Sequence, residues 1–252
     1  DFINEHDTIF VIEQNRDAQM RTLLINEFNT GTERLRSILN IDGMPINMRS
    51  HGHGQGYTDL NFIIPETIAT VSYKKGSYDA SQGDFSAAGS AYFNLADNPK
   101  HQQLDFTLGE DNYLRGVALG HTNVGQGKLI GAVEWQGYDG PWQDIDEDVN
   151  KKNALLRYAG SLAGGDLSIT AMAYDNQWNS ADQIPQRAVD QGIISQLGSL
   201  DKTLGGSSSR YSLSANWQGQ NLSANAYVID YDLSLYSNFS YFLNDPINGD
   251  QF

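Results

Sequence analysis

From about residue 103 the chain repeats a unit of roughly ten residues in which apolar and polar side chains alternate before a turn or polar loop, the period-2 signature of β-strands. The clearest case sets Tyr211, Leu213, Ala215 and Trp217 on one face against Ser212, Ser214, Asn216 and Gln218 on the other. After a short turn at Gly219 and Gln220, Leu222, Ala224, Ala226 and Val228 oppose Asn221, Ser223 and Asn225, so the two segments read as a β-hairpin. Leu129, Val133 and Trp135 against Lys128, Glu134 and Gln136 give another strand, as do Leu104, Phe106 and Leu108 against Asp105 and Thr107. Segments 113–121, 153–160 and 165–174 are strand-like with less cleanly separated faces, and the pattern predicts seven strands.

The connections differ in length. Gly109–Asn112, Gly160–Gly165 and Gly219–Gln220 are short, Gly137–Lys151 and Asp175–Ser209 are long and polar, and Thr122–Gln126 is the exception to the alternation. Short turns at one end and long loops at the other are how outer-membrane barrels are built. A β-sandwich or a soluble up-and-down barrel alternates equally well. Tyr211 and Trp217, near the two ends of one apolar face, favour a lipid-facing band with aromatic girdles.

The first hundred residues have another texture. Asp42-Gly43 is a turn signal, Ser50–Tyr57 alternates Gly and His, Ile68–Tyr73 reads as a strand, and Gly83–Gly89 is a small-residue loop entering a strand at Ala91–Leu95. This predicts a compact α+β domain ahead of the strands. Within residues 1–40, Ala18–Ile25 and Glu33–Leu39 suit helix or strand equally.

Composition narrows the function classes. The chain has 252 residues and a net charge of −15, with its few Lys and Arg scattered, which removes the main source of affinity for nucleic acid. It has no cysteine, hence no disulfide or thiolate metal site. No window approaches the roughly 18 apolar residues of a membrane helix, a test that β-barrel strands also fail.

Three ordered motifs carry a family resemblance. Ile41-Asp42-Gly43-Met44-Pro45-Ile46-Asn47 is followed by Ile64-Pro65-Glu66, leading into Ile68-Ala69-Thr70-Val71-Ser72-Tyr73-Lys74-Lys75-Gly76-Ser77-Tyr78, and then by Gly83-Asp84-Phe85-Ser86-Ala87-Ala88-Gly89. The run resembles the plug of TonB-dependent outer-membrane receptors, including a subgroup for the variant Ser50-His51-Gly52-His53-Gly54-Gln55-Gly56-Tyr57. The family's arginine-glycine pair ahead of the first motif stands here as Asn26-Glu27. The resemblance implies a small α+β plug domain at 1–98, then the first seven or so antiparallel transmembrane β-barrel strands at 99–252, a partial barrel. Seven strands use about 140 residues and a barrel of about 22 strands needs about 440, so an internal fragment is expected.

The same resemblance implies a receptor in the outer membrane of a Gram-negative bacterium. It takes up a scarce solute (a metal, metal chelate or siderophore) by TonB-coupled active transport, with no chemistry and no cofactor. Its partners would be the TonB energy-transducing complex, acting through a segment absent from this chain, outer-membrane lipid and the small solute, with no nucleic acid. The alternatives are a soluble or surface-attached β-rich binding protein and, behind it, a carbohydrate-active enzyme. Catalytic motifs of the G-x-S-x-G, H-E-x-x-H and G-x-x-x-x-G-K-[ST] kinds are absent.

The candidate solute-binding residues are His51, His53, Gln55, Tyr57, Trp178 and Arg187. Two imidazoles at i and i+2 in extended backbone can face one transition-metal ion, with Met44 and Met48 nearby as soft thioether ligands. A polar loop whose histidines bond to wall residues is the plainer reading of His51 and His53. Asp175–Ser209, with Trp178, Gln183, Gln186 and Arg187, is expected to be an extracellular loop able to close as a lid, Trp178 offering a stacking surface. Asp144, Asp146, Glu147 and Asp148 lack EF-hand spacing and read as a solvated charge run.

Overall fold

The computed structural model describes residues 38–48, 57–75, 89–238, 245 and 247, and two sheets hold nearly all of their regular structure. The first has the order β2-β1-β4-β3, from β1 (Ile38–Ile41), β2 (Met44–Pro45), β3 (Ile68–Lys75) and β4 (Gly89–Leu95). β1 and β4 are parallel and the other pairs antiparallel. The expected turn at Asp42-Gly43 joins β1 to β2 with φ of 46° and 75°, the left-handed pair that an Asp-Gly hairpin turn supplies. Gly43 is also required sterically, because a Cβ there would stand 2.9 Å from Asn225 Nδ2.

The strand expected at Ile68–Tyr73 runs on to Lys75 and pairs with β4, so Lys74 belongs to this sheet and not to the larger one. The strand expected at Ala91–Leu95 begins two residues earlier, at Gly89. Among the described residues before 99 the helical content is a single 3-10 turn, Pro65–Thr67, less than an α+β unit implies. Ala18–Ile25, Asn26-Glu27, His51, His53, Gln55 and Gly76 lie outside the described residues.

The second sheet consists of seven strands in sequential order, each antiparallel to its neighbours. They are β5 (Gln103–Leu108), β6 (Leu114–Val124), β7 (Gly127–Tyr138), β8 (Val149–Leu162), β9 (Gly165–Asn179), β10 (Gly205–Gln218) and β11 (Ser223–Tyr236). From β6 onward each has 11 to 15 residues. A tilted strand crosses a bilayer core with about 9–11 residues, so these are long enough to do so and to project beyond it.

The loop pattern differs from the sequence expectation in one respect. Thr122–Gln126 is no exception, because β6 and β7 extend by backbone pairing to a two-residue turn at Gly125-Gln126. That turn shares an end of the sheet with Ala163-Gly164 and 219–222, and all three are short. The other end carries 109–113, 139–148 and 180–204, so the irregular member is the short first loop. Asp139 N donates to Asp111 O at 3.0 Å, which ties the first two of these together.

The faces of the large sheet are inverted relative to a soluble protein. Following the register, one face carries Leu104, Phe106, Ala118, Leu129, Val133, Trp135, Leu156, Ile169, Leu213, Ala226 and Val228. These are accessible: Phe106 is 73% exposed, Leu156 54% and Leu213 50%. The opposite face carries Arg115, Glu134, Lys151, Asn153, Arg157, Thr170, Ser208, Arg210, Ser212 and Ser214, nearly all buried. As expected, Tyr211, Leu213 and their partners across the hairpin share the outer face, while Ser212 and Ser214 point inward.

What buries the polar face is the small sheet. A hydrophobic cluster joins Leu39, Ile41, Met44, Ile46, Phe62, Ile64 and Leu95 to Val117, Leu119, Ala132, Leu155, Met172 and Tyr174 of the wall. On the wall most of these residues lie in one cross-strand row, Leu119, Ala132, Leu155 and Met172. That row is flanked on both sides by rows of charged and polar side chains.

Candidate functional site

The interface between the two sheets is organised by three arginines on the inner face of alternate strands: Arg115 of β6, Arg157 of β8 and Arg210 of β10. Arg115 grips Glu66 of the 3-10 turn through two parallel bonds, Nη1 to Oε1 at 2.7 Å and Nη2 to Oε2 at 2.9 Å. Its Nε donates to Glu134 Oε1 at 2.6 Å. Glu134 in turn lies 3.4 Å from Lys151 Nζ and accepts from Asn153 Nδ2 at 2.6 Å. Asn153 Nδ2 also reaches Asn61 O at 2.8 Å, a second tie to the small sheet's side of the interface. Bidentate, charge-assisted pairs of this kind fix orientation as well as proximity.

Arg157 makes the corresponding clamp nearer the short-turn end. Its Nη1 donates to Asp42 Oδ2 and to Thr170 Oγ1, and its Nε and Nη2 donate to Asp97 Oδ1 at 2.9 and 2.6 Å. Asp42 simultaneously uses Oδ1 to accept from Leu95 N at 3.0 Å, so the turn of the first hairpin is locked to both β4 and the wall. Burial raises the Asp42 carboxyl above its ordinary value, with Arg157 opposing the rise. Arg210 lies over the ring of Phe62, 4.4 Å from its centroid, and its Nη2 donates to Pro45 O at 3.0 Å.

Between these clamps sits Asp59, a buried carboxylate whose hydrogen-bond partners are neutral and whose charge is opposed only in part by the nearby Arg210 guanidinium. Its Oδ1 accepts from Asn61 N at 2.8 Å and Asn61 Nδ2 at 2.9 Å, while Tyr231 Oη approaches Oδ2 at 3.5 Å. Tyr231, Arg210, Tyr174, Asn153 and Glu134 form one continuous cross-strand row on the inner face. Tyr174 Oη is bonded to Ser208 Oγ at 2.7 Å.

Burial raises the Asp59 carboxyl, whereas the hydrogen bonds from Arg115 lower that of Glu66. The two therefore act in opposite directions. Glu66 contributes stability present above its unfolded value and lost as pH falls through the lowered folded value. Asp59 favours folding below its unfolded value and loses that contribution as pH rises through the raised one. Asp59→Asn keeps the Oδ1 acceptor for Asn61 and removes the buried charge. It is expected to raise the melting temperature at pH 7 and leave it unchanged near pH 3, where both side chains are neutral. Calorimetry at the two pH values checks this, and a variant destabilised at pH 7 contradicts it.

The residues singled out in the sequence are distributed differently. Tyr57 is half-buried and bridged to Met48, whose N donates to Tyr57 O at 2.8 Å; His51, His53 and Gln55, in the segment between them, are outside the described residues. Met44 packs in the hydrophobic cluster, which occupies its thioether. Trp178 is not in a loop: Asp175–Asn179 pair with Gly205–Ser209, so β9 and β10 run further than their polar composition suggested and the loop shrinks to 180–204. The indole sits on the inner face under Gly206, where an added Cβ would stand 2.8 Å from the ring. Arg187 is exposed on α1 (Gln186–Asp190), within that loop.

The sequence reading missed Asp59, Glu66 and the three arginines. A usable signal exists in Leu155-Leu156-Arg157-Tyr158, where one apolar-looking strand carries a charge on the face opposite Leu156. Among the described residues no group of three or more His, Cys, Asp or Glu is placed to hold a metal ion.

No family model matches the chain, and no curated protein matches it. Solved structures do. The siderophore receptor PiuA from Acinetobacter baumannii superposes with a TM-score of 0.58 at 15% identity, over 81% of this chain and 31% of its own. The FrpB iron transporter from Neisseria meningitidis matches in its F3-3 variant with a TM-score of 0.56 at 15% identity, over 85% of this chain and 36% of its own. Its F5-1 variant gives 0.53 at 16% identity, over 80% and 34%. The chain spans about a third of the length of these structures. Likeness at this identity is one of fold: the seven-stranded sheet and the small sheet on its inner face together have the fold of part of an iron or siderophore receptor chain.

Proposed function

We propose that residues 1–98 are the plug and 99–252 the first seven wall strands of a TonB-dependent receptor in a Gram-negative outer membrane, importing a scarce metal, metal chelate or siderophore. The observation that carries this is the inverted sheet, apolar where it is open and carrying buried ionic and polar rows around one hydrophobic row where it is covered. A soluble sandwich buries the opposite face. The free edges of β5 and β11 would be paired by the remaining strands of the closed barrel.

In this mechanism no bond is made or broken. The plug is held by the Glu66–Arg115 pair and by Asp42 and Asp97 on Arg157, and the energy-coupling complex supplies the work that separates them. His51, His53, Gln55 and Tyr57 on the plug, with Trp178 and Arg187 on the loop side of the wall, would meet the solute.

The test is uptake. The full-length receptor, as the sole high-affinity importer in a Gram-negative host, is expected to drive accumulation of radiolabelled ferric chelates that stops when TonB is deleted. Equal accumulation without TonB, or recovery of the protein in the soluble fraction, overturns the proposal.

A further inference from the structure

The long-loop end contains a second, separate cluster of oxygen groups that the transport reading does not use. The loop 180–204 and the chain leaving β11 meet there, because Gly205 pairs with both Asn179 and Tyr236. Asn238 is 2% exposed and its Oδ1 has no hydrogen-bond partner. Its other groups are engaged: Nδ2 donates to Asp201 Oδ2 at 2.8 Å and N donates to Asp182 Oδ2 at 3.3 Å. These three residues line a small, partly open pocket of about 10 Å³ together with Gln183, Ser199, Leu200 and Leu204. That is room for one small occupant.

The polar side chains of the lining include two carboxylates, beside the aliphatic Leu200 and Leu204. Asp201 is buried. Thr203 N and Oγ1 both donate to Oδ1, at 2.9 and 2.6 Å, which pins the carboxylate and leaves the lone pairs of Oδ2 toward Asn238. Ser199 Oγ donates to Asp201 O at 2.8 Å and braces the same turn. A buried, unpaired amide oxygen beside two carboxylates costs stability if nothing occupies the space between them.

We propose that Asp182, Asp201 and Asn238 Oδ1 form a calcium site that fastens the loop 180–204 to the chain after β11. Calcium takes oxygen ligands of mixed carboxylate and amide type with water completing the shell, and it accepts irregular geometry. Magnesium demands a near-octahedral set and is held more weakly here. Two carboxylates and a preformed but small donor set place the affinity in the range of extracellular modules, about 0.1–1 mM. The site stands whichever solute the receptor carries, and its function is to order the loop above the wall.

The experiment uses the intact receptor in non-ionic detergent, stripped with EDTA and titrated calorimetrically with calcium chloride, with limited proteolysis of the loop read in parallel. Wild type is expected to bind calcium and to gain protection at 180–204. Asn238→Leu should lose both. Asn238→Asp adds a ligand charge and should bind at least about five-fold more tightly, while its calcium-free loop is cut faster through like-charge repulsion. No calcium-dependent heat or protection in wild type leaves a water in the cavity and overturns the site. Equal calcium affinity in wild type, Asn238→Leu and Asn238→Asp overturns it as well, by placing the ion elsewhere.

Discussion

Replacing Arg157 by methionine will loosen the small sheet from the wall by about 3–5 kcal/mol, the cost of stranding a buried charge after its partner is removed. The Arg157 side chain is 4% exposed and Asp42 10%, whereas Asp97 is 63% exposed and returns to water at little cost. Asp42 decides the outcome. Its carboxylate also caps Leu95 N, so it cannot rotate away without breaking the hairpin's tie to β4. Methionine fills the volume of the aliphatic stem, which keeps packing loss out of the measurement.

In the variant the burial that already raises the Asp42 carboxyl loses the opposition of Arg157 and is countered only by the bond from Leu95 N, so the residue takes up a proton more readily and the penalty shrinks in mild acid. Asp42→Asn in the same chain should recover most of the loss at neutral pH. Thermal denaturation and protease sensitivity of 38–95 at pH 7 and pH 5 report this. A single variant as stable as wild type at both pH values removes Arg157 from the account of how the two sheets are held.

The outer face was legible in the sequence and the inner one was not, for a physical reason. A face left open by the fold asks only for apolarity here, so Tyr211, Leu213, Ala215 and Trp217 alternate cleanly with Ser212 and Ser214. The inner face of β7, β8 and β9 must serve a hydrophobic row and two ionic rows at once. Leu155 and Arg157, two residues apart, therefore point the same way, and so do Ile130, Ala132 and Glu134. Period-2 counting registers such a face as noise, which is why 153–160 and 165–174 read as ambiguous.

Strand ends were underestimated because Asp175–Gln177 and Ser207–Ser209 are polar on both faces, and backbone pairing alone extends them. The hairpin turn at Asp42-Gly43 was readable from two residues because left-handed φ selects them. The partnership of Asp42 with Arg157, 115 positions apart, has no local trace at all.

Leu156→Arg will separate the membrane reading of the outer face from a soluble one. Leu156 lies mid-strand on β8, flanked across the ladder by Gly131 and Ala171, so the longer side chain has space and the effect is electrostatic rather than steric. On the surface of a soluble protein the change is worth no more than about 0.5 kcal/mol either way. At the midplane of a bilayer an arginine on the lipid face of a barrel costs about 2–4 kcal/mol, falling toward zero at the interface. Leu108 supplies the internal control, since it is 79% exposed on the same face but borders the loop 109–113 at the sheet's end. Reversible unfolding of the full-length protein from lipid vesicles should show a large loss for Leu156→Arg and about 1 kcal/mol or less for Leu108→Arg. Equal and small effects at both positions would mean that depth does not matter, and with it would go the assignment of this face to lipid.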